Sequence, residues 1–288
     1  MMSRFGRIST AMVTPFNEEG KVDFDKATAL VEHLLANGTN TLVVSGTTGE
    51  SPTLSREERF DLFAHVVKVV NKRVPVVAGT GSYNTAETIE ISKKAEQLGV
   101  DALLLVTPYY NKPSQEGLYQ HFKAIAESVS IPVMLYNVPG RTVTNLAPAT
   151  VIRLSKIPNI VAVKEASGDL SAMTEIIAGT SDDFELYCGD DCLTLPSLAI
   201  GANGVVSVSS HIIGKEMQDM IACYFDNKVD QAAILHQKLL PIMKGMFAVP
   251  SPAPVKAALN YKGINVGSVR LPLVTLNETE METLIKLL

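Results

Sequence analysis

Short, continuous apolar runs recur along the chain, and between them lie segments whose apolar residues repeat with the spacing of one helix face. A strand buried on both faces has no polar side to alternate with. A parallel sheet is therefore legible as such runs, while each covering helix shows one apolar stripe. Eight runs qualify, at 8–13, 41–45, 74–78, 102–106, 133–136, 160–164, 185–188 and 204–208. Amphipathic stretches fall between them at 26–37, 56–71, 85–98, 116–128 and 148–156. Ser55 and Glu58 have the spacing of a capping box, in which the two side chains satisfy free amides at a helix's first turn. A faint repeat sets Gly38, Gly99 and Gly201 between a helical pattern and the next run. A glycine there takes the left-handed conformation that stops a helix and returns the chain to the sheet.

Eight strand-then-helix units predict an α/β fold, a (β/α)8 TIM barrel at 1–225. That fold typically occupies ~250 residues and keeps its chemistry at the C-terminal ends of its strands. A doubly wound open sheet is the alternative. It usually carries a nucleotide fingerprint after its first strand, whereas Gly79-Thr80-Gly81 lacks the third glycine and follows the third run. Residues 226–288 read as a C-terminal helical region, with helices at 229–243, 253–261 and 278–288 around the proline-rich 250–254, and assembly is the use expected of it.

With 288 residues, 46% of them hydrophobic, the chain can bury a core without disulfides or a structural metal. A formal net charge of −5 and scattered basic residues argue against a nucleic-acid partner. No apolar stretch reaches the ~18 residues of a spanning helix, and the first residues, Met1-Met2-Ser3-Arg4-Phe5-Gly6, lack a signal peptide's apolar core. The expected location is the cytoplasm, with no membrane partner. Cys188, Cys192 and Cys223 are an odd number without Cys-x-x-Cys spacing, as suits idle thiols in a reducing compartment. His33, His65, His121, His211 and His236 are scattered, and Asp190-Asp191 reads as a turn rather than a ligand pair. Neither a metal nor a cofactor is expected.

Lys164 ends the run 160–164, so a buried strand delivers it to the catalytic end of a barrel. Desolvation favours a neutral amine, and a neutral lysine amine forms an imine with a carbonyl. The plainer reading is a strand-end lysine whose stem packs and whose head reaches water. If Lys164 points inward, alternation turns Met134, Tyr136 and Ala162 inward with it, and Tyr136 becomes its neighbour on the adjacent strand. A phenol there can shuttle the protons that imine formation needs. Gly46-Thr47-Thr48-Gly49-Glu50-Ser51 follows strand two and offers hydroxyls and amides to a carboxylate, or is an ordinary Thr- and Gly-rich turn. Arg141 follows strand five and either clamps a substrate carboxylate or forms a surface ion pair. Tyr109-Tyr110 after strand four suits packing or an interface better than catalysis.

These segments together resemble the dihydrodipicolinate synthase group of the pyruvate-dependent class I aldolase family, nearly end to end. The resemblance rests on Gly46-Thr47-Thr48-Gly49-Glu50-Ser51, Tyr109-Tyr110-Asn111-Lys112-Pro113, Tyr136-Asn137-Val138-Pro139-Gly140-Arg141-Thr142 and Val163-Lys164-Glu165-Ala166-Ser167-Gly168. It implies a lyase in which Lys164 forms an imine with pyruvate and the derived enamine attacks L-aspartate 4-semialdehyde, in diaminopimelate and lysine biosynthesis. By similarity, Tyr136 is the proton donor and acceptor, and Thr47 and Tyr110 complete a relay. Thr48 and the backbone at Val206 hold pyruvate, and Arg141 binds the semialdehyde's carboxylate. Tyr110 is expected to cross a subunit interface, which implies at least a homodimer, with a tetramer of two dimers usual. A sister lyase acting on N-acetylneuraminate or a keto-deoxy sugar acid would share Lys164 and Tyr136, and Arg141 favours the synthase. A pyruvate- or amino-acid-sensing pseudoenzyme would be expected to lack one of the relay residues. Some relatives are inhibited by lysine at an interface site that Ser51, Glu87 and Tyr109 match. Arg56, Arg59 and Tyr83 depart from that site's pattern, so weak or absent feedback is expected.

Overall fold

A computed structural model describes residues 3–288; Met1 and Met2, which open the N-terminal segment read above, lie outside the described residues. Strands β1 (Ile8–Ala11), β2 (Thr41–Val44), β3 (Val76–Gly79), β4 (Ala102–Val106), β5 (Val133–Asn137), β6 (Ile160–Glu165), β7 (Glu185–Cys188) and β8 (Gly204–Ser207) close into one parallel barrel in sequence order. Helices α1 (Phe24–Ala36), α2 (Arg56–Val70), α3 (Thr85–Gln97), α4 (Gln115–Ala126), α5 (Pro139–Thr142), α6 (Pro148–Leu154), α7 (Leu170–Gly179) and α8 (Thr194–Ala199) lie between strands. After β8 come α9 (Ser210–Phe225), α10 (Val229–Gly245), α11 (Ala253–Tyr261) and α12 (Glu278–Ile285).

Nearly every strand residue is buried, which explains runs without alternation. Inside the barrel pack Val43, Val77, Leu104, Met134, Ala162 and Val206, with Phe5 closing one end edge-on against Tyr187. A larger cluster joins the outer strand faces to the helices. Ser55 and Glu58 form the expected capping box at α2. Gly38, Gly99 and Gly201 take φ of +88°, +86° and +106°, as their helix-stopping role requires.

Four helices, α5, α7, α8 and α9, were not marked by periodicity. The α9 segment contains non-helical backbone at Ile213, which breaks a regular stripe, and α8 has only six residues. Arg141 sits on the one-turn helix α5, opened by Pro139. Gly79 and Gly81 are required by close backbone packing. A β-carbon at either would lie 2.3 Å from Ser45 O or 2.4 Å from Val106 N, so neighbouring backbone requires glycine.

Two buried histidines make the fold sensitive to acid. The His211 ring accepts from Val13 N–H at Nε2 (3.2 Å) and donates from Nδ1 to Val208 O (2.7 Å). A second ring proton would face the Val13 donor. Burial pushes the pKa of His211 down from 6.5 to about 4, and burial does the same at His121, also to about 4. At these two rings the unfolded chain therefore takes up protons first on acidification, so their contribution to stability is full above pH ~6.5 and is lost towards pH 4. Each ring should cost on the order of 2 kcal/mol at pH 5 relative to pH 7.5. Thermal unfolding should show that decline, and a His121→Gln, His211→Gln variant should flatten it; an unchanged slope in the variant would contradict the assignment.

Candidate active site

The C-terminal ends of the strands border one cleft of about 760 Å³, and Lys164, Tyr136, Thr47, Thr48 and Arg141 all line it. The parallel register of β5 and β6 pairs Tyr136 with Lys164, and Lys164 Nζ stands 4.2 Å from the centre of the Tyr136 ring. Lys164 is 6% exposed. Among the described residues no carboxylate lies within ion-pair distance of it. Gly189 on the next turn leaves it room, since a β-carbon there would come within 3.0 Å of Lys164 Cε.

Both strands run one residue further than the apolar pattern indicated, to Asn137 and Glu165, which are again register partners. These side chains alternate away from the cleft. Asn137 Nδ2 donates to both oxygens of Glu165 (2.9 and 3.2 Å), and Ser167 N donates to Glu165 Oε1 (2.7 Å). Burial, partly offset by these bonds, raises the Glu165 pKa. A buried polar clasp thus joins the two strand ends immediately beyond the amine and the phenol.

Thr47 and Thr48 lie on a tight turn between Ser45 and Glu50, both of which have positive φ (54° and 56°). Glu50 N–H donates to Thr47 O (3.0 Å), and Thr14 Oγ1 donates to Gly49 O (2.7 Å). Arg141 is exposed at the cleft wall. Two expected site residues are not brought to this wall. Val206 is buried among the barrel's interior side chains, and Val208, two residues on, lines the cleft instead. Tyr110 is 90% exposed on the loop after β4, while Tyr109 packs edge-on against Tyr83 at 5.1 Å.

Sequence patterns missed part of the wall altogether. Lys244 of α10 and the following Phe247, Pro250 and Ser251 line the cleft, so the C-terminal region shapes the site. The proline-rich stretch was the only local signal of it. Asp190 caps the turn Asp191–Leu193 by accepting from Cys192 N. Asp191 Oδ2 accepts from Val208 N (3.1 Å), Ser209 N (2.8 Å) and Ser209 Oγ (2.8 Å), which fixes the chain leaving β8. Burial pushes the Cys188 and Cys192 thiols up to about 12 and about 11, so both stay protonated at neutral pH.

A buried lysine beside a phenol, with no carboxylate partner among the described residues, at the C-terminal mouth of a (β/α)8 barrel is the arrangement from which class I aldolase chemistry can proceed. The family model described as the dihydrodipicolinate synthetase family matches residues 4–288, and the chain belongs to that family. It is 66% identical over 275 residues to a 4-hydroxy-tetrahydrodipicolinate synthase of Bacillus velezensis, covering 96% of this chain and 95% of the relative. It is 65% identical over 277 residues to the enzyme of the same name from Bacillus subtilis, covering 96% of each. A crystal structure of a dihydrodipicolinate synthase from Bacillus anthracis superposes with a TM-score of 0.98 at 59% identity, covering 100% of this chain and 98% of that one.

Asp191 gives this region a direct test. Asp191→Ala leaves three buried donors without an acceptor and should lower unfolding stability in urea by about 2–4 kcal/mol. Asp191→Asn keeps one acceptor oxygen and should lose less than half of that; equal losses would contradict the assignment.

Proposed function

We propose that this chain condenses pyruvate with L-aspartate 4-semialdehyde to give 4-hydroxy-tetrahydrodipicolinate, the branch-point step of diaminopimelate and lysine biosynthesis. The observation that carries the reading is Lys164, buried in the cleft, paired in register with Tyr136 and free of any carboxylate partner among the described residues. The names of the relatives, across nearly the whole chain, support the same pair of substrates over those of a sister lyase or a sensor.

Lys164 Nζ attacks the ketone carbon of pyruvate, and loss of water leaves an imine. A proton leaves the methyl carbon to give an enamine, whose carbon attacks the aldehyde of the semialdehyde. The semialdehyde's own amine then attacks the imine carbon and displaces Lys164, which closes the ring and frees the enzyme. Tyr136 gives and takes protons in these steps, with Thr47 and Tyr110 completing the relay. Thr48 and the backbone at Val206 hold the pyruvate carboxylate, and Arg141 holds that of the semialdehyde. An exposed Tyr110 fits a residue that serves a neighbouring subunit's cleft, so the working unit is at least a homodimer, assembled as a homotetramer of two dimers. The reading extends to a cytoplasmic location; no helix among the described residues is long and apolar enough to cross a membrane.

Lysine feedback is weak or absent in this reading. A dihydrodipicolinate synthase from Cyanidioschyzon merolae, 46% identical with a TM-score of 0.96 over 98% of this chain and 97% of that one, has a crystal structure with lysine bound. In the present chain Arg56 pairs with Glu87 (3.1 Å) and Glu90 (3.2 Å), and Tyr83 packs on Tyr109. The carboxylate that would meet an ammonium group thus already has a cation.

Tyr136→Phe should lower kcat about 100- to 10,000-fold in an assay of both substrates, with little change in either KM. Lys164→Ala should abolish turnover while leaving the fold intact by circular dichroism. Wild-type-like kcat in either variant contradicts the proposed roles. Half-maximal inhibition by submillimolar lysine would contradict the feedback reading.

A further inference from the structure

The turn that carries Thr47 and Thr48 is held from outside the barrel, by residues that follow α10. Glu50 has both carboxylate oxygens committed there. Lys256 Nζ, on α11, stands 2.6 Å from Glu50 Oε1, and Arg270 N–H donates to Oε2 at 2.8 Å. The side chains of the ion pair are 2% and 0% exposed, for Lys256 and Glu50 respectively. At 2.6 Å the Lys256 ammonium and the Glu50 carboxylate are in direct contact. Lys256 Nζ also donates to Ser268 O, at 2.7 Å.

The surroundings reinforce one geometry. Lys256 Nζ and the Arg270 guanidinium both lie over the Phe16 ring, at 4.1 and 4.3 Å from its centre. Arg270 also pairs with Glu58 in the first turn of α2 and donates from Nη1 to Thr53 O (2.7 Å). The C-terminal segment therefore grips the stretch between Glu50 and Glu58 at both ends. Glu50 itself has φ +56°, a conformation that a residue with a β-carbon keeps only where its surroundings impose it. Its backbone N–H closes the turn onto Thr47 O. A displacement of the Glu50 side chain is thus passed within one hydrogen bond to Thr47 and its neighbour Thr48.

We infer that Glu50 and Lys256 are positioning residues: a buried strut by which the C-terminal region fixes the Thr47–Thr48 turn and so sets the affinity for pyruvate. The inference rests on the proposed function, in which Thr48 holds the pyruvate carboxylate. Neither residue lines the cleft. A buried ion pair is not required for stability, since apolar or neutral replacements of both partners together are often tolerated, whereas loss of one partner strands a charge. That difference separates positioning from mere structural support.

The test uses the full-length chain and steady-state kinetics in both substrates, with thermal unfolding alongside. Lys256→Met alone should lower the unfolding temperature by roughly 10 °C. The double variant Glu50→Gln, Lys256→Met should regain most of that loss. Its KM for pyruvate should nevertheless rise at least about fivefold, while KM for the semialdehyde, held through Arg141, changes less than about twofold. Glu50→Asp keeps the charge but withdraws the carboxylate by one methylene, and should show the same selective rise. Wild-type pyruvate KM in the double variant, or a rise of both KM values together, overturns the strut. If the double variant fails to fold, Glu50→Asp decides by the same criteria. A wild-type chain that turns over neither substrate removes the functional reading, and the strut's role with it.

Discussion

The parallel register between β5 and β6 is the constraint on which the site depends. It sets Tyr136 opposite Lys164 inside the barrel and Asn137 opposite Glu165 outside it. Side chains alternate across a strand, so a slip of β6 by one residue against β5 would turn Lys164 away and leave the Glu165 carboxylate beside Tyr136 in its place. The clasp of Asn137, Glu165 and Ser167 holds that register at its C-terminal end. The packed interior of Met134, Ala162 and their neighbours holds it from below. The amine and the phenol are thereby fixed by buried strands rather than by loops.

The rest of the cleft is assembled from distant parts of the chain around that fixed pair. Thr47 and Thr48 come from a turn with unusual backbone at both ends, and Arg141 from a single helical turn started by proline. Val208 is aligned through Asp191. The region after α9 supplies Lys244, Phe247, Pro250 and Ser251 to the wall and reaches Glu50 through Lys256 and Arg270. The C-terminal helices are thus part of the site's construction, not an appendage to a finished barrel.

How much of this was legible in the sequence follows from the range of each interaction. Strands buried on both faces leave continuous apolar runs, so all eight could be located to within two residues at each end. Period-two alternation was enough to place Tyr136 beside Lys164. Asn137 and Glu165 were not recognised as strand, because polar residues ending an apolar run look like the start of a loop. The irregular backbone within α9 and the shortness of α8 hid those helices. Nothing local announces that Lys256 will meet Glu50 or that Asp191 will hold β8, since each contact joins residues brought together only by closure of the barrel and the docking of later helices. The resemblance to a family supplied roles for Thr48, Tyr110 and Arg141 that spacing alone left open.

The central claim, that Lys164 is the imine-forming nucleophile, is most directly tested by borohydride reduction in the presence and absence of pyruvate, followed by intact mass measurement and peptide mapping. The expected result is one pyruvate-sized adduct per chain, dependent on pyruvate and located on Lys164. A folded chain that gains no adduct, or gains one on a different lysine, would contradict the imine mechanism proposed for this cleft.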